Sequence, residues 1–233
     1  MMLIQRPILS KEHKTNHAAD KIRNGIHTTS KLEKLGAIKE SSTELVIWER
    51  SLTPNFNSWL EQLDPSQLPN LRVLIEPADL RIMMELELDA RGIAGKEMSD
   101  LLISDIERLV LKYASITKSH LVDVRLERVN HDACWRFHRD SVDKRLLTTY
   151  RGLTTEWVLP KHSEQAISQQ KCFKGPIEKL GLFDVAIFKG NSAESGRGIV
   201  HRSPPIEGTG CTRLLLCLNV RTDTSPDPWS EHS

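Results

Sequence analysis

The sequence predicts a mainly β fold, a small barrel or sandwich in the second half of the chain with helices from the first half packed against it. Three observations predict this. From about residue 119 onward, short apolar runs alternate with period two, the repeat of a half-buried strand. Gly and Pro punctuate those runs with no helical pattern between them, which favours a β-structure closed or layered on itself over a parallel α/β sheet. Residues 78–116 carry strong helix formers with apolar residues three and four apart.

In chain order, residues 1–40 are polar and mixed in charge, and read as a loosely held segment. Residues 41–118 read as a helical support region. Within it, Thr43–Glu49 is a short strand, Pro54 breaks the chain, and Asn57–Leu63 forms a short helix. Ala78–Ala90 follows as a helix. Ser99–Ile116 is a second one, N-capped by Ser99, with Leu102, Ile106, Leu109, Tyr113 and Ile116 on one apolar face. Residues 119–222 form the β-core. His120–Val129, Arg145–Tyr150, Thr154–Leu159, Asp184–Lys189 and Cys211–Arg221 are its expected strands. Residues 223–233 are polar and read as a frayed tail.

Composition narrows the function classes. Lys plus Arg is 32 against 31 Asp plus Glu, a formal net charge of +1, so no excess charge steers a nucleic acid or an anionic membrane. No apolar run approaches the ~20 residues of a spanning helix, and the first residues lack the layout of a signal peptide, so a cytoplasmic protein is expected. The four cysteines, Cys134, Cys172, Cys211 and Cys217, form no C-x-x-C pair and read as core or surface thiols; a thiolate metal site using Cys134 or Cys172 is the lesser alternative. There is no G-x-S-x-G, no phosphate-cradling Gly loop and no zinc-finger spacing.

The densest chemistry lies in WRFHRDSVD. His138 and Asp140 are two apart, so on an extended strand both project to one face. A third ligand is available from GIVHRSPP, where His201 follows His138 by 63 residues, enough chain to travel round the β-core and return. Two histidines and one carboxylate on one face of an ion form a facial triad, which suits non-heme Fe(II) and leaves positions open for other ligands. Arg213 lies 12 residues beyond His201, on a strand where it shares a face with Leu215, Cys217 and Asn219. An arginine among apolar neighbours requires an anionic partner. Two partners remain open: an internal Asp or Glu (or solvent), and the distal carboxylate of a small diacid whose other end chelates the metal. Arg139 and Arg202 border the expected mouth together with Lys144, and Trp157 is a weaker substrate contact or a core residue. Trp135, His131 and His162 are minor candidates.

The pattern His138-Arg139-Asp140, His201 and Arg213 resembles the Fe(II)/2-oxoglutarate-dependent dioxygenase superfamily. YRGLTTEWVL (150–159) is similar to the Gly-then-Thr strand that follows H-x-D there, and GLFDVAIFKG (181–190) to the strand and turn before the second histidine. The resemblance covers roughly residues 119–222. It implies a double-stranded β-helix, Fe(II) on His138, Asp140 and His201, and 2-oxoglutarate anchored by Arg213, with Tyr150 offering a hydroxyl or serving as a buried aromatic. Two positions depart from it: Leu215 stands where many members have Ser, and Phe183 where Gly is usual. The same stretch resembles a bacterial family of uncharacterised proteins that carries the H-x-D and HRSPP…RLLL segments.

The leading expectation is therefore an iron- and 2-oxoglutarate-dependent oxygenase that takes a small-molecule co-substrate; its primary substrate, whether a small molecule, an amino acid side chain or a nucleobase, stays open. The alternative is a non-oxygenase metal-binding protein of the same shape, holding Zn(II) or another divalent ion for metal handling or sensing. A cupin-like enzyme without a 2-oxo acid is a third reading.

Overall fold

The computed structural model describes residues 20–93, 96–193 and 197–231. It is mainly β with supporting helices. The first part of the chain runs β1 (Lys21–Arg23), β2 (Ile26–Thr29), a 3-10 helix at Leu32–Lys39, β3 (Leu45–Trp48), α1 (Pro54–Gln62), β4 (Leu71–Ile75), α2 (Leu80–Ala90) and α3 (Glu97–Thr117). The second runs β5 (Val122–Val129), β6 (Lys144–Arg151), β7 (Glu156–Trp157), α4 (Ser163–Gln169), β8 (Glu178–Lys179), β9 (Val185–Lys189), β10 (His201–Arg202) and β11 (Arg213–Val220).

The strands form an eight-stranded mixed sheet, ordered β1-β2-β3-β9-β6-β11-β5-β4, and a three-stranded antiparallel sheet, ordered β10-β7-β8. Among the described residues, only β2 and β3 pair in parallel in the large sheet. The strands are thus two separate hydrogen-bonded sheets and not one closed barrel. An apolar layer joins them: Ile47, Leu147, Phe188 and Cys217 of the large sheet cluster with Trp157 of the small one. The opposite face of the large sheet packs on α1, α2 and α3 through residues such as Val124, Leu216, Leu218, Met84, Ile106 and Leu109. Each such fully buried aliphatic side chain contributes roughly 1.5–3 kcal/mol over its exposed state.

The expected split into a helical first part and a β second part does not hold, since β1 to β4 of the large sheet precede residue 119 and α4 lies beyond it, and several boundaries differ as well. The chain is already folded from Lys21, because Leu32, Leu35 and Ile38 recur every third residue, the 3-10 period, and bury Leu35 and Ile38 completely. The part of the expected loose segment before residue 20 lies outside the described residues. The expected tail docks instead of fraying: Trp229 N–H donates to Leu74 O at 2.7 Å and Ser225 Oγ to Asp123 Oδ2 at 2.8 Å, so Pro228 and Trp229 cover the β4 edge. In α3 the N-cap is Lys96. Ser99 sits a turn later, its Oγ accepting from Lys96 N–H at 3.0 Å and donating to Lys96 O at 2.6 Å.

One buried ionic knot ties the helices to the sheet. Arg50 donates to both carboxylate oxygens of Asp105 at 2.5 and 2.8 Å, and Arg108 and the Tyr150 hydroxyl donate to the same carboxylate at 2.8 and 2.6 Å. Burial works to raise the carboxyl pKa of Asp105, but these donors outweigh it and the net direction is down from 3.8. Removing one partner from such a knot strands the other charge. We therefore expect Asp105→Asn to destabilise the fold by roughly 3–5 kcal/mol in urea unfolding at neutral pH. The depressed pKa makes the knot's contribution complete above the unfolded value of 3.8 and lost as pH falls through the lower folded one. Wild-type stability should therefore drop more steeply than that of Asp105→Asn below that pH.

Candidate metal centre

The site grows out of a strand pairing. His138 N–H donates to His201 O and His201 N–H to His138 O, both at 3.0 Å, a reciprocal antiparallel pair. Residues directly opposite in such a pair point to the same face, and the two imidazole centroids lie 4.7 Å apart. On the other side of β10, His201 is in register with Trp157, and its ring lies 4.8 Å from that of Phe188 on β9. The face carrying both histidines is therefore the one turned to the large sheet.

Asp140 joins them from two residues along. Its Oδ1 is 3.7 Å from His138 Nε2 and its Oδ2 is 3.4 Å from His201 Nε2. Among the described residues these three are the one group of His, Cys, Asp and Glu whose ligand atoms converge, all within 4.8 Å of one another. Asp140 and His201 are buried and His138 is partly open.

The surrounding bonds leave the right atoms free for a metal. Nδ1 of His138 lies 2.8 Å from Arg136 O and Nδ1 of His201 lies 3.1 Å from Ile199 O. A carbonyl only accepts, so each Nδ1 carries the proton and each Nε2 presents its lone pair inward. Burial lowers the pKa of His201, which favours the neutral imidazole that a metal requires. Asp140 Oδ1 accepts from Arg145, which is held in turn by Asn219 Oδ1 at 2.8 Å, while buried Asp140 Oδ2 has no hydrogen-bond partner among the described residues. A buried carboxylate oxygen without a donor costs free energy unless a cation occupies its lone pairs. The donor set thus fits a divalent ion on two imidazoles and one carboxylate oxygen.

Two neighbours hold the triad in place. Gln170, at φ 50°, donates through Nε2 to Phe137 O at 3.0 Å and accepts from Phe137 N–H at 2.9 Å. Its amide acts as a strand edge for the segment leading to His138. Gly190 underlies the Asp140 turn: a Cβ there would sit 2.6 Å from Asp140 O and 2.0 Å from Val142 O.

His138 and His201 open onto a cavity of about 80 Å³ between the sheets, bordered also by Arg125, Arg145, Ser203 and Cys217. Arg213 is fully buried on the cavity side of β11, along the same sheet face as Leu215 and Cys217. Its Nε donates to Leu153 O at 2.5 Å and its Nη1 to Ser203 Oγ at 2.8 Å; its Nη2 has no partner, and no carboxylate pairs with it among the described residues. The internal acid expected as one alternative for Arg213 is thus not there. Burial pushes its pKa down to about 10, still well above neutral pH.

Other sequence candidates fall elsewhere. Of the two roles expected for Tyr150, a hydroxyl for the diacid or a buried aromatic, the structure shows the second: the ring is fully buried on the helix side of the large sheet and its hydroxyl bonds Asp105. The register of β6 against β11 shifts between Leu214 and Leu215, so Thr149 and Arg151 face consecutive residues of β11 and Tyr150 is the extra residue between them. Arg139 bonds Glu164 at 2.7 Å on the outer side. Arg202 touches the cavity, but its guanidinium is bonded to Glu156 at 2.8 Å and lies over the Phe137 ring. Trp157 belongs to the apolar layer beside His201. No cysteine joins the triad; burial pushes the Cys217 thiol up to about 11, so it stays protonated. Arg145, Gln170 and Ser203 escape sequence reasoning, since only the folded chain brings them to the site.

A family model described as "Protein of unknown function (DUF1826)" matches residues 29–219. The chain belongs to that family. The DUF1826 span includes the triad, Arg213 and every neighbour named above. No curated protein matches the chain. Solved structures overlay it loosely. A Pseudomonas putida prolyl-4-hydroxylase has a TM-score of 0.41 at 13% identity, over 82% of this chain and 94% of that one. A full-length Neurospora crassa protein solved in complex with alpha-KG has 0.40 at 10%, over 82% and 79%. AviO1 from Streptomyces viridochromogenes has 0.34 at 14%, over 80% and 93%. Overlays this loose assign neither residues nor reaction. Among the described residues no helix is long and apolar enough to cross a membrane.

Gly190 supplies a test of the ligand geometry. Gly190→Ala should displace the Asp140 turn and weaken Zn(II) or Fe(II) binding by roughly tenfold or more in a chelator competition. Gly36→Ala, where an added Cβ meets nothing within 4 Å, should leave it unchanged.

Proposed function

We propose that this DUF1826 member is an Fe(II)- and 2-oxoglutarate-dependent oxygenase. The observation that carries the reading is the pairing of an unsatisfied metal triad with an unsatisfied arginine on the same inter-sheet layer. Asp140 Oδ2 lacks a cation and Arg213 Nη2 lacks an anion among the described residues. A metal alone answers the first need; a diacid that chelates the metal at one end answers both.

In this reading the two facing sheets are the halves of a double-stranded β-helix. His138 Nε2, His201 Nε2 and Asp140 Oδ2 hold the metal on one face. Arg145 occupies Asp140 Oδ1 and leaves Oδ2 as the oxygen that would serve a cation. Arg213 binds the distal carboxylate of 2-oxoglutarate through Nη2, its fork aligned by Leu153 O and Ser203 Oγ. Ser203 thereby stands in for the serine that the superfamily carries where this chain has Leu215. Fe(II) bound there supplies the activation of O2 that is coupled to decarboxylation of the 2-oxo acid. The apolar layer of Leu147, Trp157 and Phe188 keeps bulk water from that chemistry.

The test is to titrate anaerobic Fe(II)-loaded protein with 2-oxoglutarate. A visible metal-to-ligand charge-transfer band is expected, lost on admitting oxygen as succinate appears. Tight metal binding with no band would return the protein to metal handling. His138→Ala and His201→Ala should abolish tight metal binding. Arg213→Ala should retain the metal while weakening 2-oxoglutarate by at least about thirtyfold. Equal metal loss in all three variants would contradict the role given to Arg213.

A further inference from the structure

The cavity wall carries a guanidinium that the triad and the 2-oxoglutarate reading leave unused. Arg125 lies on β5 in register with Cys217 of β11, and both border the cavity with His138 and His201. Its Nη2 donates to Glu127, but its buried Nε has no acceptor among the described residues. In Arg145 and Arg202, the other arginines of the cavity wall, Nε is bonded, to Asn219 Oδ1 and Glu156 Oε2, both at 2.8 Å. A buried N–H left without an acceptor costs free energy, so this donor is set for a ligand atom.

Arg125 is well separated from Arg213. Their β11-level positions, Cys217 and Arg213, are four residues apart, about 13 Å along a strand. One five-carbon diacid anchored at Arg213 does not also serve Arg125. The charge balance points the same way. A divalent cation and a dianionic co-substrate neutralise one another, while Arg125, Arg145 and Arg202 are matched by Glu127, Asp140 and Glu156. The charge of Arg213, which has no acid of its own, is left over in a poorly solvated space, and an anionic substrate offsets it.

We propose that Arg125 Nε is the substrate subsite of the cavity and that the primary substrate is a small carboxylic acid, held there by one carboxylate oxygen. This assignment rests on the oxygenase reading for the word substrate, but the binding it states is tested without turnover.

The experiment uses full-length protein loaded with Zn(II) and saturated with 2-oxoglutarate. Acetate and then inorganic phosphate are titrated while arginine Nε–Hε signals are followed by 15N NMR. The Arg125 signal is assigned by its loss in Arg125→Lys, which keeps the charge. Acetate should shift that signal saturably, and both Arg125→Lys and Arg125→Gln should weaken acetate by about tenfold or more. An Arg125 signal unmoved by acetate, with the Arg213 signal moved by 2-oxoglutarate, overturns the subsite and leaves the oxygenase reading intact. A response to phosphate alone overturns the carboxylate assignment. An Arg213 signal unmoved by 2-oxoglutarate counts against the oxygenase reading, whatever Arg125 does.

Discussion

Two backbone hydrogen bonds between His138 and His201 carry the site. The histidines come from segments 63 residues apart, and neither segment has much regular structure: β10 is two residues long, and His138 pairs as an isolated bridge. A reciprocal pair fixes distance and facing together, because opposite residues in an antiparallel ladder share a face. Once that pair forms, Asp140 reaches the same face by strand periodicity alone. The imidazole tautomers follow too, since each Nδ1 finds a carbonyl two residues back on its own segment.

The short pairing is braced from three sides. Gln170 gives Phe137 the partners a further strand would give, and adopts a left-handed φ to do so. Phe188 supports the His201 ring from the large sheet, and the β9 end at Gly190 leaves room for the turn that carries Asp140. Gln170 is a non-glycine residue in a costly backbone conformation, and Gly190 has no side chain where a Cβ would collide. Both place local cost where a functional constellation must be held. The large sheet provides the fixed reference, anchored on its far side by the Arg50–Asp105–Tyr150 knot and the stripe of α3.

What was legible in the sequence is what depends on local period. The H-x-D spacing placed His138 and Asp140 on one face, the alternation of β11 placed Arg213 with Leu215 and Cys217, and the apolar spacing of α3 showed its buried side. Features that depend on a break in period were hidden. Alternation from Leu146 puts Tyr150 on the helix side, but Arg151, just past the bulge, also turns to that side, where it meets Leu63 O and Glu61, although alternation from Arg145 and Leu147 puts it on the cavity face. Phe183, where the resemblance expects Gly, does sit at φ 69°, with its ring packed near Phe56 and Tyr150. That position retains the backbone shape glycine favours, held by packing instead. Non-local partners were equally hidden: nothing near Arg213 announces Ser203 as its acceptor, and nothing near Asp140 announces Asn219 behind Arg145.

The contrast between Arg145 and Arg213 shows how one sheet face is made to present two opposite charges. Both guanidiniums project from neighbouring strands toward the space between the sheets, and both are held by neutral oxygen acceptors, Asn219 for one and Leu153 with Ser203 for the other. Only Arg145 meets a carboxylate. That carboxylate keeps one oxygen for a cation, so this end of the layer attracts positive charge despite its arginine. At the other end a buried guanidinium without a counter-ion attracts negative charge, and burial strengthens both attractions by excluding the water that would screen them. A metal ion and an anion are thus favoured at separate points of one enclosed layer, and a ligand spanning them satisfies both better than two independent ions, because its second contact is made without a second loss of translational freedom.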